Sequence, residues 1–256
     1  MAAAFPNITV PGDPIHPKDY IEKGTGFQQF LAFFMAILGL VVGIVFSYGI
    51  LLIILVFYPF VAMYLNKKAT ALIHGSGVAV GEYQFPQIHE CLQTFKQRMG
   101  VSKDVSVYIV EDRVLNAFSV RYGKKNVILI TDDLIQGCLA SDNPKALSFV
   151  IAHELAHIAL GHTGLFRSSL SHAYKRLSRL DEYSCDSVAM ALIKEKGPAF
   201  TGLLLLTVGW ALLPYVDQNS LMRQSEEVAL NKYSKKAERP LTHPLLLNRI
   251  HKLMNK

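Results

Sequence analysis

The chain is poor in charge, in cysteine and in tryptophan. Asp, Glu, Lys and Arg make up 18% of its 256 residues, against about a quarter in an ordinary soluble domain. Three cysteines, a sparse and odd set, exclude a disulfide-dense secreted scaffold. A single tryptophan removes the basis for an aromatic base-stacking platform. There is no short-period repeat, no collagen pattern and no Pro/Gly-rich tract, and 51% hydrophobic residues exclude a disordered polymer. The sharpest absence is local. From Gly24 through Asn66, 43 residues carry no charge at all.

One membrane-spanning helix takes about 20 apolar residues, so this run fits two, with a break at Ser47-Tyr48-Gly49. The sequence predicts helices over 27–46 and 50–65, joined as a hairpin whose ends emerge on one side. A cleaved signal peptide has a core of only about 7–15 residues, and this run is far longer. Lys18 and Lys23 precede the hairpin, Lys67 and Lys68 follow it, and its turn is uncharged. The positive-inside rule then places both termini in the cytoplasm, at the inner (plasma) membrane. The expected organisation is a cytoplasmic segment 1–26, a transmembrane hairpin 27–66 and a soluble domain 67–256. That domain holds 24 Lys and Arg against 17 Asp and Glu, and an anionic leaflet beside it accounts for the excess. No helix-turn-helix, zinc-finger or phosphate-loop pattern supports a nucleic-acid partner. In the cytoplasm Cys91, Cys138 and Cys185 are expected as reduced thiols. Gly39 and Gly43 allow close helix packing, within the hairpin or between copies, so the sequence leaves the oligomeric state open.

In the soluble part, Pro86 to Met99 has helical spacing closed by Gly100, and Val105, Val107 and Ile109 alternate as in a strand. Residues 117–121 and 126–131 flank Tyr122-Gly123-Lys124-Lys125 as a β-hairpin. Asp142-Asn143-Pro144 predicts a helix start, with Asn143 as cap and Pro144 in the first turn. That helix, running to Gly161, contains His153-Glu154-Leu155-Ala156-His157.

Histidines at i and i+4 share one helical face, and both imidazoles can reach one zinc ion at about 2.0–2.1 Å. Glu154 can then take a proton from a water at the open coordination position. A catalytic zinc needs a third protein ligand. His162 does not fit the pattern HExxHxxGxxH, because it falls nine residues after His153 instead of ten. Glu182 is the better candidate, in Glu182-Tyr183-Ser184-Cys185-Asp186. Asp186, at i+4, can hold the second nitrogen of a ligand histidine. For Glu182 to reach the histidines, a loop or a separately angled helix must break the chain within 163–177. Ser178 and Asp181 fit a new helix start, with Glu182 near its N-terminal end and a stop at Gly197-Pro198. The basic residues Lys175, Arg176 and Arg179 are then expected in or beside the break. The uncharged run 197–216 is expected as a buried or membrane-grazing helix, because Pro198, Gly202, Gly209 and Pro214 suit a span poorly.

These motifs resemble those of the HtpX-type membrane zinc metallopeptidases, gluzincins related to the CAAX prenyl proteases. The resemblance covers about residues 75–255. It rests on His153–His157, on Glu182–Asp186, on Asn116-Ala117-Phe118 before the hairpin, and on Thr242-His243-Pro244 with Arg249. It implies an α+β fold, a mainly helical zincin-type domain with a small β-sheet behind the transmembrane hairpin. It also implies one zinc ion held by His153, His157 and Glu182, and a substrate-binding strand led in by Asn116, Ala117 and Phe118. His243 is implied either as a catalytic donor to the developing oxyanion or as a structural residue of the C-terminal segment. HtpX-type proteins have two further spans between the zinc motifs. Here residues 158–181 are too charged to cross a membrane, so the chain resembles a shorter, two-span variant.

The function expected is a membrane-anchored zinc endopeptidase with the lipid bilayer as a partner; that its substrates are membrane or membrane-proximal polypeptides is what the resemblance implies. The resemblance adds protein quality control. The alternative is a non-catalytic zinc-binding membrane scaffold. A structural zinc is normally closed by four ligands, whereas three are found here.

Overall fold

In a computed structural model of the chain, residues 5–111, 116–141 and 143–255 are described. Asp142, part of the expected helix start, lies outside them. In chain order the elements are α1 (Thr25–Phe46), α2 (Ile50–Ser76), β1 (Val78–Ala79), α3 (Pro86–Arg98), β2 (Val105–Val110), β3 (Ala117–Tyr122), β4 (Lys125–Thr131), α4 (Asp132–Ala140), α5 (Ala146–Ala159), α6 (Leu165–Ala173), α7 (Lys175–Ile193), α8 (Lys196–Val208), α9 (Gln218–Leu230), α10 (Lys232–Ala237) and α11 (Leu246–Met254). The fold is mostly helical with one small mixed sheet, as the sequence implied.

The helices α1 and α2 are long and apolar enough to cross a bilayer. At about 1.5 Å per residue, the 22 residues of α1 reach about 33 Å, close to a hydrocarbon core of about 30 Å. Their apolar side chains, among them Phe30, Val45, Phe57 and Phe60, face outward, and such a surface suggests membrane association. The break falls at 47–49, as expected. The second helix, however, continues past 65, through Lys67 and Lys68 to Ser76. Its last turn packs on the sheet, with Ile73 against Tyr108, Val127 and Leu129. The foot of α1 is also docked. Gln28 and Ala32 are buried, Gln28 Oε1 accepts from the Tyr174 hydroxyl at 2.7 Å, and Phe33 meets Phe166 edge-on.

The sheet order is β1-β2-β4-β3. β4 runs parallel to β2 and antiparallel to β3, with Phe118 opposite Leu129. β4 is covered on both faces, which explains its unbroken apolar run Val127–Ile130. Ile128 and Ile130 point into the main core, and Val127 and Leu129 toward α2. β3 is left at the edge.

The main core lies among α3, α5, α7, α8 and this sheet, around Phe95, Phe149, Ile151, Leu155, Val188 and Leu203. Residues ahead of the hairpin enter it too. Ile8 is fully buried, its carbonyl accepts from the Ser148 hydroxyl, and Arg98 Nη1 donates to Val10 O at 2.8 Å. The segment before α1 and the residues after α2 are thereby packed together in one core.

Three local expectations are corrected. α5 begins at Ala146, not at Asn143-Pro144. These two form a tight turn whose carbonyls accept from Ala146 and Leu147 at 3.0 and 3.1 Å. α7 begins at Lys175, so Glu182 lies two turns into it, and Ser178 and Asp181 do not cap it. It ends at Ile193 because Lys194 turns left-handed, at φ 59. Gly197-Pro198 opens α8 instead, where proline suits the first turn. Of the uncharged run 197–216, the part up to Val208 lies in this largely buried helix of 13 residues, too short to span, and beyond it Trp210, Leu212 and Tyr215 are exposed.

Candidate metal centre

α5 is buried on nearly every side, and His153, Glu154 and His157 emerge from it into a cleft of about 810 Å³. The helix ends just beyond them. Gly161 adopts φ 80, the Gly161 N–H reaches the Ile158 carbonyl at 3.2 Å, and the His162 N–H reaches the His157 carbonyl at 2.8 Å. This is a Schellman closure, which favours glycine at the left-handed position. The chain then reverses through α6, breaks at Tyr174 and returns as α7 against α5. The break that Glu182 required is therefore present.

The return brings three ligand atoms together. His153 Nε2 is 3.3 Å from His157 Nε2, and these two nitrogens lie 3.4 and 3.3 Å from the Glu182 carboxylate oxygens. Ligands about 2.0–2.1 Å from a tetrahedral metal stand about 3.3–3.4 Å apart. The residues therefore fit one ion.

The electrostatics favour a cation at the same point. Burial opposes the charge of Glu182, yet hydrogen bonds from His153, His157 and His243 hold its carboxyl well below the usual range. Burial also lowers His153, but contacts with Asp186 and Glu182 override this and raise it to about 10. Asp186, likewise penalised by burial, is brought to about 2 by Arg249 and His153. Its Oδ1 lies 2.9 Å from His153 Nδ1, and Arg249 grips both carboxylate oxygens at 2.9 and 2.7 Å. Asp186 thereby fixes the ring that carries the candidate ligand nitrogen, His153 Nε2. Arg249 Nη1 also approaches Glu182 at 3.4 Å.

Glu154 is buried and lines the cleft, and among the described residues it has no hydrogen bond or ion pair. His243 stands at the rim, exposed, with Nδ1 at 3.2 Å from Glu182 Oε2. Its loop is held by Arg179, which donates to the carbonyls of Glu238, Arg239 and Leu241 at 2.9–3.0 Å. The expectation that Arg179 lies in or beside a break gives way to a clamp on the His243 loop. Asn116, Ala117 and Phe118 line the cleft wall at the start of β3. Asn116 is locked there by Thr131, which donates to its carbonyl and accepts from its N–H.

Sequence reasoning missed a second cluster. His157, His162 and Cys185 also bring ligand atoms close, and Asp181 lies 3.4 Å from His162 Nε2. Burial, with His157 and Arg167 nearby, holds the His162 imidazole neutral, well below its usual range. Burial and the surrounding carboxylates keep Cys185 a thiol. The glycine at 161 was the available signal, because a Schellman turn folds residue 162 back over residue 157.

A histidine pair and a carboxylate on two helices, with a glutamate in the cleft beside an edge strand, form a group that could hold one metal ion, an arrangement that suits a metal-dependent hydrolase. Residues 82–171 match the model of Peptidase family M48, and residues 143–256 match that of Peptidase U49. The two overlap across the His153–His157 motif and together support an M48-family metallopeptidase, a metal-dependent class of protease. No curated protein and no solved structure gives a significant match.

Proposed function

We propose that the chain is a membrane-anchored zinc endopeptidase with its catalytic domain in the cytoplasm, acting on membrane or membrane-proximal polypeptides. The observation that carries this reading is the triangle of His153, His157 and Glu182 with Glu154 free beside it. An N2O donor set with three protein ligands suits a catalytic zinc, which keeps an open position. Bound there, zinc supplies a Lewis acid for the scissile carbonyl. Glu154 takes the proton of the attacking water and passes it to the leaving amine. Asp186 and Arg249 hold His153 in its tautomer, and His243 donates to the developing oxyanion. β3, with no partner on its outer edge, takes an extended substrate beginning at Asn116, Ala117 and Phe118. The hairpin 27–66 anchors the catalytic domain 67–256 in the inner membrane, segment 1–26 stays cytoplasmic, and damaged membrane proteins are fitting substrates.

The test is Glu154→Gln with zinc content measured. Hydrolysis of a membrane-protein substrate panel should fall by several orders of magnitude while zinc stays bound. His157→Ala should instead lose the metal. An empty site in Glu154→Gln would show that Glu154 is a ligand and not the base.

A further inference from the structure

We propose that His162 is a positioning residue for His157, the middle of a relay of polar contacts that starts at Asp181. The proposal rests on the reading of His153, His157 and Glu182 as the zinc ligands.

A ligand imidazole needs its second nitrogen engaged, which fixes the tautomer and the ring plane. Asp186 does this for His153. No carboxylate is within reach of His157 Nδ1 among the described contacts. It faces another imidazole instead, His162 Nδ1, at 3.2 Å, with the rings edge to face. Two such nitrogens share one proton, and the question is which ring carries it. The other nitrogen of His162 answers. His162 Nε2 is 3.4 Å from Asp181 Oδ1, an oxygen that already accepts from Arg167 Nη2 and so presents a lone pair to His162. His162 therefore keeps its proton on Nε2 and offers a lone pair at Nδ1. The Cys185 thiol also approaches that lone pair, at 3.6 Å, but His157 Nδ1 is nearer, at 3.2 Å; donating there leaves its Nε2 as a lone pair. That is the atom facing His153 Nε2 and Glu182 Oε1 at 3.3 Å. One fixed acceptor thus sets the tautomer of a ligand two residues away along the relay.

Asp181 is built to be that acceptor. It is 3% exposed, receives Arg167 Nη2 at 2.5 Å, and receives the Ser171 hydroxyl at 2.9 Å. Arg167 and Ser171 both lie on α6, the helix between the two motif helices. Gly161 supplies the turn that folds His162 back. Neither His162 nor Asp181 belongs to the ligand triangle, so their burial and alignment point to a supporting part.

The experiment compares His162→Met, which fills the space without an acceptor, with His162→Gln, whose side-chain carbonyl can accept from His157 Nδ1–H. Zinc affinity is measured on the full chain in detergent by competition with a chelating dye. The melting temperature of the metal-free protein serves as the folding control. His162→Met should lose about 10–100-fold in zinc affinity, the usual effect of removing such a partner, with little change in the metal-free melt. His162→Gln should recover most of it, and Asp181→Asn should weaken affinity in the same direction. A folded His162→Met that binds zinc like wild type would overturn the relay. So would two zinc ions per wild-type chain with one lost in His162→Met, since His162 and Cys185 would then hold a second ion. Wild-type protein that binds no zinc, or His157→Ala with undiminished affinity, would instead refute the ligand reading itself.

Discussion

Removing Arg249 isolates the charge balance behind the site. Arg249 is 6% exposed and makes two short bonds to Asp186, with Glu182 3.4 Å away. In Arg249→Met the hydrocarbon stem is roughly replaced, but two buried carboxylates lose their fixed cation. Removing one partner of a buried pair costs about 3–5 kcal/mol, because the other charge is left uncompensated. For a domain of this size, 1 kcal/mol moves the melting temperature by about 2–4 °C. The metal-free variant should therefore melt roughly 6–20 °C lower. The pH dependence carries a sign. The Asp186 carboxyl is depressed from 3.8 to about 2, so its contribution is present above about pH 4 and is lost as pH falls toward 2. At about 1.4 kcal/mol per unit, that depression corresponds to roughly 2 kcal/mol. The variant lacks the larger, Arg249 share of this contribution and keeps that of His153, so its deficit should be largest near neutrality and should narrow below about pH 4. The double variant Asp186→Leu, Arg249→Met should lie closer to wild type than Arg249→Met alone. The assay is thermal unfolding of chelator-treated protein in detergent across this pH range. A melt of Arg249→Met within about 2 °C of wild type at pH 7 would refute the argument.

Two further outcomes follow from exposure and strand geometry. The native cysteines are buried, with Cys91 and Cys138 raised by burial to about 12, so an impermeant maleimide should report only introduced thiols. Tyr48→Cys, in the hairpin turn, should label from one side of the membrane, and Tyr83→Cys and Tyr233→Cys from the other. Labelling of Tyr48→Cys and Tyr83→Cys from the same side would refute the hairpin. In β3 the Asn116 and Thr131 pair bonds inward, so antiparallel alternation turns the backbone of Ala117, Ser119 and Arg121 toward the cleft. Ser119→Pro removes a donor there while sparing the ladder to β4. It should reduce kcat/KM on an extended polypeptide by about tenfold, the weight of one hydrogen bond, and barely shift the melt. Unchanged kcat/KM would mean that substrate does not pair with this edge.

Much was legible in the sequence because it is written in local chemistry. The uncharged stretch from Gly24 to Asn66 has no stable place in water, so two long apolar helices follow from it alone. The i, i+4 spacing of His153 and His157 puts both rings on one helix face wherever that helix lies. Alternation fixed β2, and the Gly123 turn fixed the hairpin of β3 and β4. What the sequence left open depended on distance through space. Whether Glu182 meets the histidines turned on a break at Tyr174, and that residue carries no breaker signal. Tyr174 is held there by packing and by its bond to Gln28, 146 positions away. The burial of Ile8 and Val10 in the main core was invisible, because a few apolar residues near a terminus show no period. The apposition of Asp186 with Arg249, 63 residues apart, and of Asp181 with His162 and Arg167, likewise depends on where helices pack. A spacing rule specifies one face of one helix. Only the packed molecule determines which buried charges find partners, because a charge out of water is stable only beside its counterpart.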